Sequence, residues 1–319
     1  MPVIESSFKP SFYFRSGFIS TIFSGLLRRV KIYQKRERIN TSDGDFLDLD
    51  WSYSKNKTKK LVIILHGMEG HGQRSYVCGI ARYLNLNDFD AICVNFRGCS
   101  GDNNLKFHSF HSGQTKDLED VINHVITNFN YKSIYLKGVS LGANIVLKYL
   151  GQNSNIPSFI KAAMALSVPI DLAGSAKSLH QFKNLLYHIY FMVGLKKKLN
   201  RKRRQFPNKL SRKTLWSIWT LKSMDNKYTS VANGFLDAID YYNKSSSLPF
   251  LNLIRTPVLI LNALNDSFLS PTCYPVNVAK KSSYINLEMP KFGGHVGFVL
   301  YGGVYYNEKR AYEFFSKFQ

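Results

Sequence analysis

Acid and cysteine are scarce in this chain, and long apolar runs are missing. Only 21 aspartates and glutamates stand against 43 lysines and arginines, a formal net charge of +22. Apolar runs are short, as in Leu61 to Leu65 and Phe191 to Leu195, far below the roughly 18 to 20 residues a bilayer-spanning helix needs. No membrane-crossing helix is expected. Met1 to Lys9 has no basic stretch leading into an apolar one, so no secretory signal is read there. The chain is placed in the cytoplasm, with peripheral contact at the inner membrane surface as a further expectation. The cysteines Cys78, Cys93, Cys99 and Cys273 show no C-x-x-C spacing. At 319 residues, 45% of them hydrophobic, the chain can bury a core without disulfides, so these are read as reduced thiols filling it. His108 and His111 have no carboxylate or cysteine at ligand spacing, which argues against a metal.

The positive charge is uneven. Lys196 to Lys213 holds ten basic and no acidic residues. A solvated basic loop or helix face is one reading, and contact with anionic lipid headgroups or acidic substrates is another. Nucleic acid is the weakest, because Phe206 is the only aromatic in the run and single-strand binders interleave aromatics with charge.

Short apolar, β-branched runs alternate with helical patterns, as expected of a mostly parallel sheet covered by helices. The runs Phe46 to Trp51, Leu61 to Leu65, Ala91 to Phe96, Ser133 to Leu136, Ala162 to Val168, Pro257 to Ala263 and Tyr284 to Glu288 read as strands. Arg74 to Leu84, Thr115 to Asn128, Leu141 to Leu150, Tyr274 to Lys281 and Tyr305 to Phe315 read as helices. Between Val168 and Pro257 the strand rhythm gives way to helical, aromatic and basic sequence. An insertion after a strand's carboxyl end lies over the ligand crevice of such a sheet, so it reads as a cap or lid, with Ser245 to Ser247 as a hinge near its exit.

Gly138-Val139-Ser140-Leu141-Gly142 follows one strand and opens a helix. That setting gives G-x-S-x-G a mechanism: a strained turn lifts the serine hydroxyl above the sheet, and the glycines two positions away let the chains pass. Leu61 to Leu65 runs into His66-Gly67-Met68-Glu69-Gly70, where the backbone amides of Met68 and Leu141 would form an oxyanion hole, with Gly67 permitting the turn. Among the eight histidines, His295 alone follows the last strand, in a glycine-flanked loop. Asp266 directly follows the strand Pro257 to Ala263; its other reading is a helix cap before Leu269. The order Ser140, Asp266, His295 predicts nucleophile, orienting acid and base, an acyl-enzyme intermediate, and no cofactor.

With Asp43-Gly44-Asp45-Phe46, His66 to Gly70, Asn95-Phe96-Arg97-Gly98-Cys99-Ser100-Gly101, His111 to Thr115, Gly138 to Asn144 and Gly293-Gly294-His295-Val296-Gly297-Phe298 in order, the chain resembles the YheT-like α/β-hydrolases, the AB hydrolase-4 family. The resemblance spans nearly the whole chain and puts that family's triad on Ser140, Asp266 and His295. It departs at Val139 and Ala143 in the elbow, at Asn103 or Asn104 in place of a proline, and at Phe110 in place of a tyrosine. These changes bear on substrate fit. Residues 1–42 are read as an extension packed on the core, 43–170 and 248–319 as the core and 171–247 as a basic helical cap, and the resemblance implies an α/β-hydrolase fold. It implies carboxylesterase activity in bacterial members, and phospholipid or acyl-transfer chemistry in some eukaryotic ones. The expected activity is hydrolysis of carboxylic esters with short- to medium-chain acyl groups. The alternatives are a membrane-docked lipid acylhydrolase or alcohol O-acyltransferase using Lys196 to Lys213, and a non-catalytic binding module on the same fold.

Overall fold

A computed structural model describes residues 2–318; Met1 and Gln319, the outermost positions of the expected extension and core, lie outside the described residues. The strands are β1 (Val3–Ile4), β2 (Lys35–Asn40), β3 (Phe46–Ser52), β4 (Lys60–Leu65), β5 (Asp90–Asn95), β6 (Ser133–Val139), β7 (Ile160–Leu166), β8 (Val258–Leu261) and β9 (Ile285–Glu288). They form one sheet in the order β1-β9-β8-β7-β6-β4-β5-β3-β2. All neighbours are parallel except β2 with β3 and β3 with β5.

Strands such as Leu-Val-Ile-Ile-Leu in β4 are apolar without alternation because both faces are covered. Ile63, Leu136 and Ala165 pack with helices Thr115–Asn128 and Leu141–Gln152 on one face. Val62, Tyr135 and Met164 pack with helices Ser75–Asn85 and Tyr306–Phe315 on the other. All four cysteines are free and buried. Among the described residues no helix is long and apolar enough to cross a membrane.

The two edge strands carry little strand signal in the sequence. β2 reads Lys-Arg-Glu-Arg-Ile-Asn, and its exposed arginines are held by cross-strand carboxylates: Arg36 Nε lies 2.7 Å from Asp50 Oδ1 and Arg38 Nε 2.7 Å from Asp48 Oδ1. Such charge suits a sheet edge, where it deters pairing with another chain. β1 is only two residues long and joins β9.

Between β7 and β8 the chain is helical. Its helices are Leu172–Leu179, Leu185–Gln205, Arg212–Trp216, Leu221–Met224, Ser230–Asn233 and Ala238–Ser245. Leu195, Leu199, Leu210, Ile218 and Tyr228 gather there into a small core of their own, which Phe268 joins. Ser245 to Ser247, expected as a hinge, are buried instead. Asn144 pins them, donating to the Ser245 carbonyl at 2.8 Å and accepting from the Ser247 amide at 2.9 Å.

Candidate active site

β6 delivers Ser140 into a sharp turn at φ 53°, a left-handed conformation that costs a non-glycine residue of order 1–3 kcal/mol. The packing around it leaves no alternative path. A Cβ on Gly138 would lie 2.3 Å from the Ala143 Cα, and one on Gly142 would lie 2.6 Å from the carbonyl oxygens of Leu65 and His66. The Ser140 amide donates to the Leu166 carbonyl at 2.8 Å, tying the turn to β7.

Ser140, His295 and Asp266, far apart in sequence, meet here. His295 Nε2 is 2.9 Å from Ser140 Oγ, and His295 Nδ1 is 2.8 Å from Asp266 Oδ2. Asp266 is buried, and its Oδ1 accepts from the Phe268 amide at 3.0 Å. The Phe268 ring stacks on the imidazole with centroids 4.2 Å apart. With Nδ1 donating to the carboxylate, Nε2 is the acceptor that faces the serine hydroxyl.

Gly67, Met68 and Leu141 line the same cavity as Ser140. Gly67 sits close under the serine, where a Cβ would lie 3.1 Å from the Ser140 Cβ. Among the described residues the Met68 and Leu141 amides have no intramolecular acceptor, and Leu141 opens the helix Leu141–Gln152, whose free N-H groups favour negative charge. His66 anchors the turn. Burial pushes its imidazole down to about 3, so it is neutral, and its two ring nitrogens have distinct partners. Nδ1 lies 2.7 Å from the Gly67 carbonyl and so carries the proton, while Nε2 accepts from the Phe96 amide at 3.2 Å.

Other supports came from residues that the sequence did not single out. The helix Gly17–Ile22 and the turn after it hold the His295 loop by hydroxyls: Thr21 Oγ1 accepts from the His295 amide at 2.9 Å, Ser20 Oγ donates to the Gly293 carbonyl at 3.2 Å, and Ser24 Oγ donates to the Val296 carbonyl at 2.9 Å. The loop needs holding, because Val296 at φ 59° is β-branched and strained. Ser-Thr-x-x-Ser at positions 20, 21 and 24 puts three hydroxyls near one helical face, the one local signal of this role.

The second support comes from the basic run. Lys196 to Lys213 is not uniformly solvated, because the helix Leu185–Gln205 turns Lys198 and Lys202 inward. Lys202 Nζ is buried on the Asn104 and Lys106 carbonyls, and that burial lowers it to about 8. Lys198 Nζ lies 2.9 Å from Glu69 Oε1, one residue beyond Met68, in a turn where Glu69 has φ 55°. Lys198→Met would leave that carboxylate without its cation and let the Met68 amide drift. A single oxyanion donor is worth about 10² to 10³ in rate; if the Met68 amide serves as one, its partial misplacement should lower kcat about tenfold while KM changes less than about threefold. Lys198→Arg should recover most of the loss, and steady-state kinetics on p-nitrophenyl butyrate checks both.

The cavity above Ser140 measures about 450 Å³, within the range of small-molecule sites. Leu172, Leu179, Leu186, Tyr187, Phe191 and Leu195 of the helical segment give it an apolar side. Lys198, Lys202 and Arg74 stand elsewhere on its wall. Asp225, also on the wall, is pushed up to about 6 by burial, and accepts from Tyr242 Oη at 2.7 Å and Thr229 Oγ1 at 2.8 Å.

Buried histidines also set an acid limit on the fold. Burial lowers both His66 and His111 to about 3, whereas an unfolded histidine titrates near 6.5. The unfolded chain therefore takes up more protons between these values. Stability present above about pH 6.5 is lost as pH falls toward 3, by up to a few kcal/mol per histidine. Asp225, shifted the other way, offsets part of this. His111→Asn should consequently lose less melting temperature than the parent between pH 7.5 and 5, as paired thermal melts would read.

Comparisons with known proteins agree with this architecture. The family model of the alpha/beta hydrolase fold matches residues 60–300. YheT of Escherichia coli (strain K12) is 29% identical over 301 residues, covering 92% of this chain and 88% of that protein. Phospholipase ABHD3 of Homo sapiens is 28% identical over 308 residues, covering 93% and 75%. Among solved structures, the Pyrococcus furiosus esterase Pf2001 superimposes with a TM-score of 0.60 at 17% identity, covering 90% of this chain and 92% of that one, a likeness of fold.

Proposed function

The chain belongs to the alpha/beta hydrolase fold family, and from that membership we propose that it cleaves carboxylic esters with short- to medium-chain acyl groups, Ser140 acting as nucleophile. One observation carries the reading: the unbroken line Ser140 Oγ, His295 Nε2, His295 Nδ1, Asp266 Oδ2, with links of 2.9 and 2.8 Å, at the wall of a largely apolar cavity. His295 takes the serine proton as Oγ attacks the ester carbonyl. The amides of Met68 and Leu141 receive the negative charge that develops on the carbonyl oxygen. His295 then returns its proton to the departing alcohol, leaving an acyl group on Ser140. Water, deprotonated by the same imidazole, attacks the acyl-enzyme and releases the acid. Asp266 keeps the Nδ1 proton in place throughout. The helices between β7 and β8 act as a cap that shields these steps from bulk water.

The names of relatives lend support, ABHD3 being called a phospholipase and a Saccharomyces cerevisiae relative a monoacylglycerol lipase. The test is a fluorophosphonate probe together with p-nitrophenyl esters graded from acetate to palmitate. Labelling that maps to Ser140 and turnover peaking at short to medium chains are expected. No labelling and no turnover would return the fold to a binding role.

A further inference from the structure

The helix Leu185–Gln205 wears an unusual outer face. Phe182 just before it, then Leu186, Ile189 and Val193, recur at helical spacing and are all exposed, Phe182 at 90% and Leu186 at 65%. The same stripe continues into Lys197, Arg201 and Arg204, which are exposed too. One long stripe is thus apolar over its first turns and cationic over its last. Trp216 and Trp219 add two aromatics exposed at 72% and 68%. Trp219 is joined to the helix, because Lys196 Nζ lies 4.1 Å from its ring centroid.

This face adjoins the cavity. Leu186 and Tyr190 are exposed yet line the space above Ser140, as do Ile22 and Leu26 of the N-terminal segment. The Phe18 ring packs 5.6 Å from that of Tyr187, joining the two segments, and Phe18, Ile19 and Leu27 are exposed alongside. Contiguous exposed apolar surface of this kind marks an interaction site. Charge says with what: from Leu172 to Met224 there are thirteen lysines and arginines and no aspartate or glutamate. Aromatics that are amphipathic, an apolar stripe and flanking cations are the pattern of a helix lying in the headgroup layer of an anionic bilayer.

We propose that the exposed stripe of Leu185–Gln205, with Trp216 and Trp219, seats in the interfacial layer of an anionic lipid bilayer and opens the Ser140 cavity toward it. The attachment rests on the ester-cleaving reading only for its purpose; binding itself needs no catalysis. It also relocates the contact expected of Lys196 to Lys213, because Lys198 and Lys202 face inward and the outward charge works together with the apolar turns.

The protein carries its own reporters. Of its three tryptophans, Trp51 is buried while Trp216 and Trp219 are exposed, so a change of solvent at the stripe dominates any change in emission. Vesicles of phosphatidylcholine with about 30% phosphatidylglycerol should shift the emission to the blue, and brominated acyl chains should quench it, in the parent and in Ser140→Ala alike. Co-sedimentation should persist in part at 0.5 M salt, because apolar insertion is not screened as charge is. The triple variant Phe182→Ser, Ile189→Ser, Val193→Ser should bind about 100-fold more weakly while keeping its turnover of soluble esters. Unchanged emission at saturating anionic vesicle, binding abolished by salt, or full binding by the triple variant would overturn the proposal. Self-association of the free chain that hides both tryptophans, with no vesicle binding, would assign the stripe to a second copy instead.

Discussion

Ser140→Ala is expected to lower kcat for p-nitrophenyl butyrate by about 10⁵- to 10⁶-fold, the size seen when a triad nucleophile is removed alone. The hydroxyl is the group that would form the acyl bond, and it makes the 2.9 Å contact to His295 Nε2. Removing His295 as well should cost little more, since base and nucleophile act as one unit. The fold should be indifferent. Alanine at this position keeps the backbone strain of φ 53° without adding to it, and the links that hold the turn are backbone bonds or glycine contacts. A melting temperature within a few degrees of the parent, with fluorophosphonate labelling abolished, completes the expectation. Turnover within tenfold of the parent would remove Ser140 from the mechanism.

The sheet was legible in the sequence wherever burial on both faces leaves an uninterrupted apolar signature, as in β4 and β8. It was illegible in β2, whose alternating charges look like a loop until Asp48 and Asp50 appear on the neighbouring strand to pair with them. Ser140, Asp266 and His295 stood out because each follows a strand end in a recognisable local setting, and the structure brings their side chains within hydrogen-bond distance. Their supports did not stand out. Thr21 reaches the His295 amide across 274 residues of sequence, and Lys198 reaches Glu69 from a different helix. The Ser-Thr-x-x-Ser spacing groups the hydroxyls near one helical face, but no local pattern names their partners, because only the folded arrangement brings the paired elements together. The basic run shows the same limit from the other side: composition alone makes its ten charges equivalent, whereas helical geometry sorts the seven that lie on Leu185–Gln205 into inward and outward sets.

Asp266→Asn should cost about 10⁴ in kcat at neutral pH while leaving stability intact, and that combination separates two readings of the residue. Asp266 Oδ1 accepts from the Phe268 amide at 3.0 Å, the bond of a turn or cap, and Oδ2 faces His295 Nδ1 at 2.8 Å. Asparagine serves a turn or cap as well as aspartate does, so its carbonyl can keep the Phe268 bond. Its amide nitrogen then stands where Oδ2 was, and it donates. His295 Nδ1 must now accept, which moves the ring proton to Nε2, and an Nε2 that carries a proton cannot take one from Ser140. The geometry survives with the wrong tautomer, a change that costs about 10⁴ in a triad of this kind. If Asp266 only shapes the turn, the substitution should leave both melting temperature and turnover near those of the parent. Steady-state kinetics and a thermal melt on one preparation decide between the two, and Asp266→Ala, which loses the turn bond as well, should lower both.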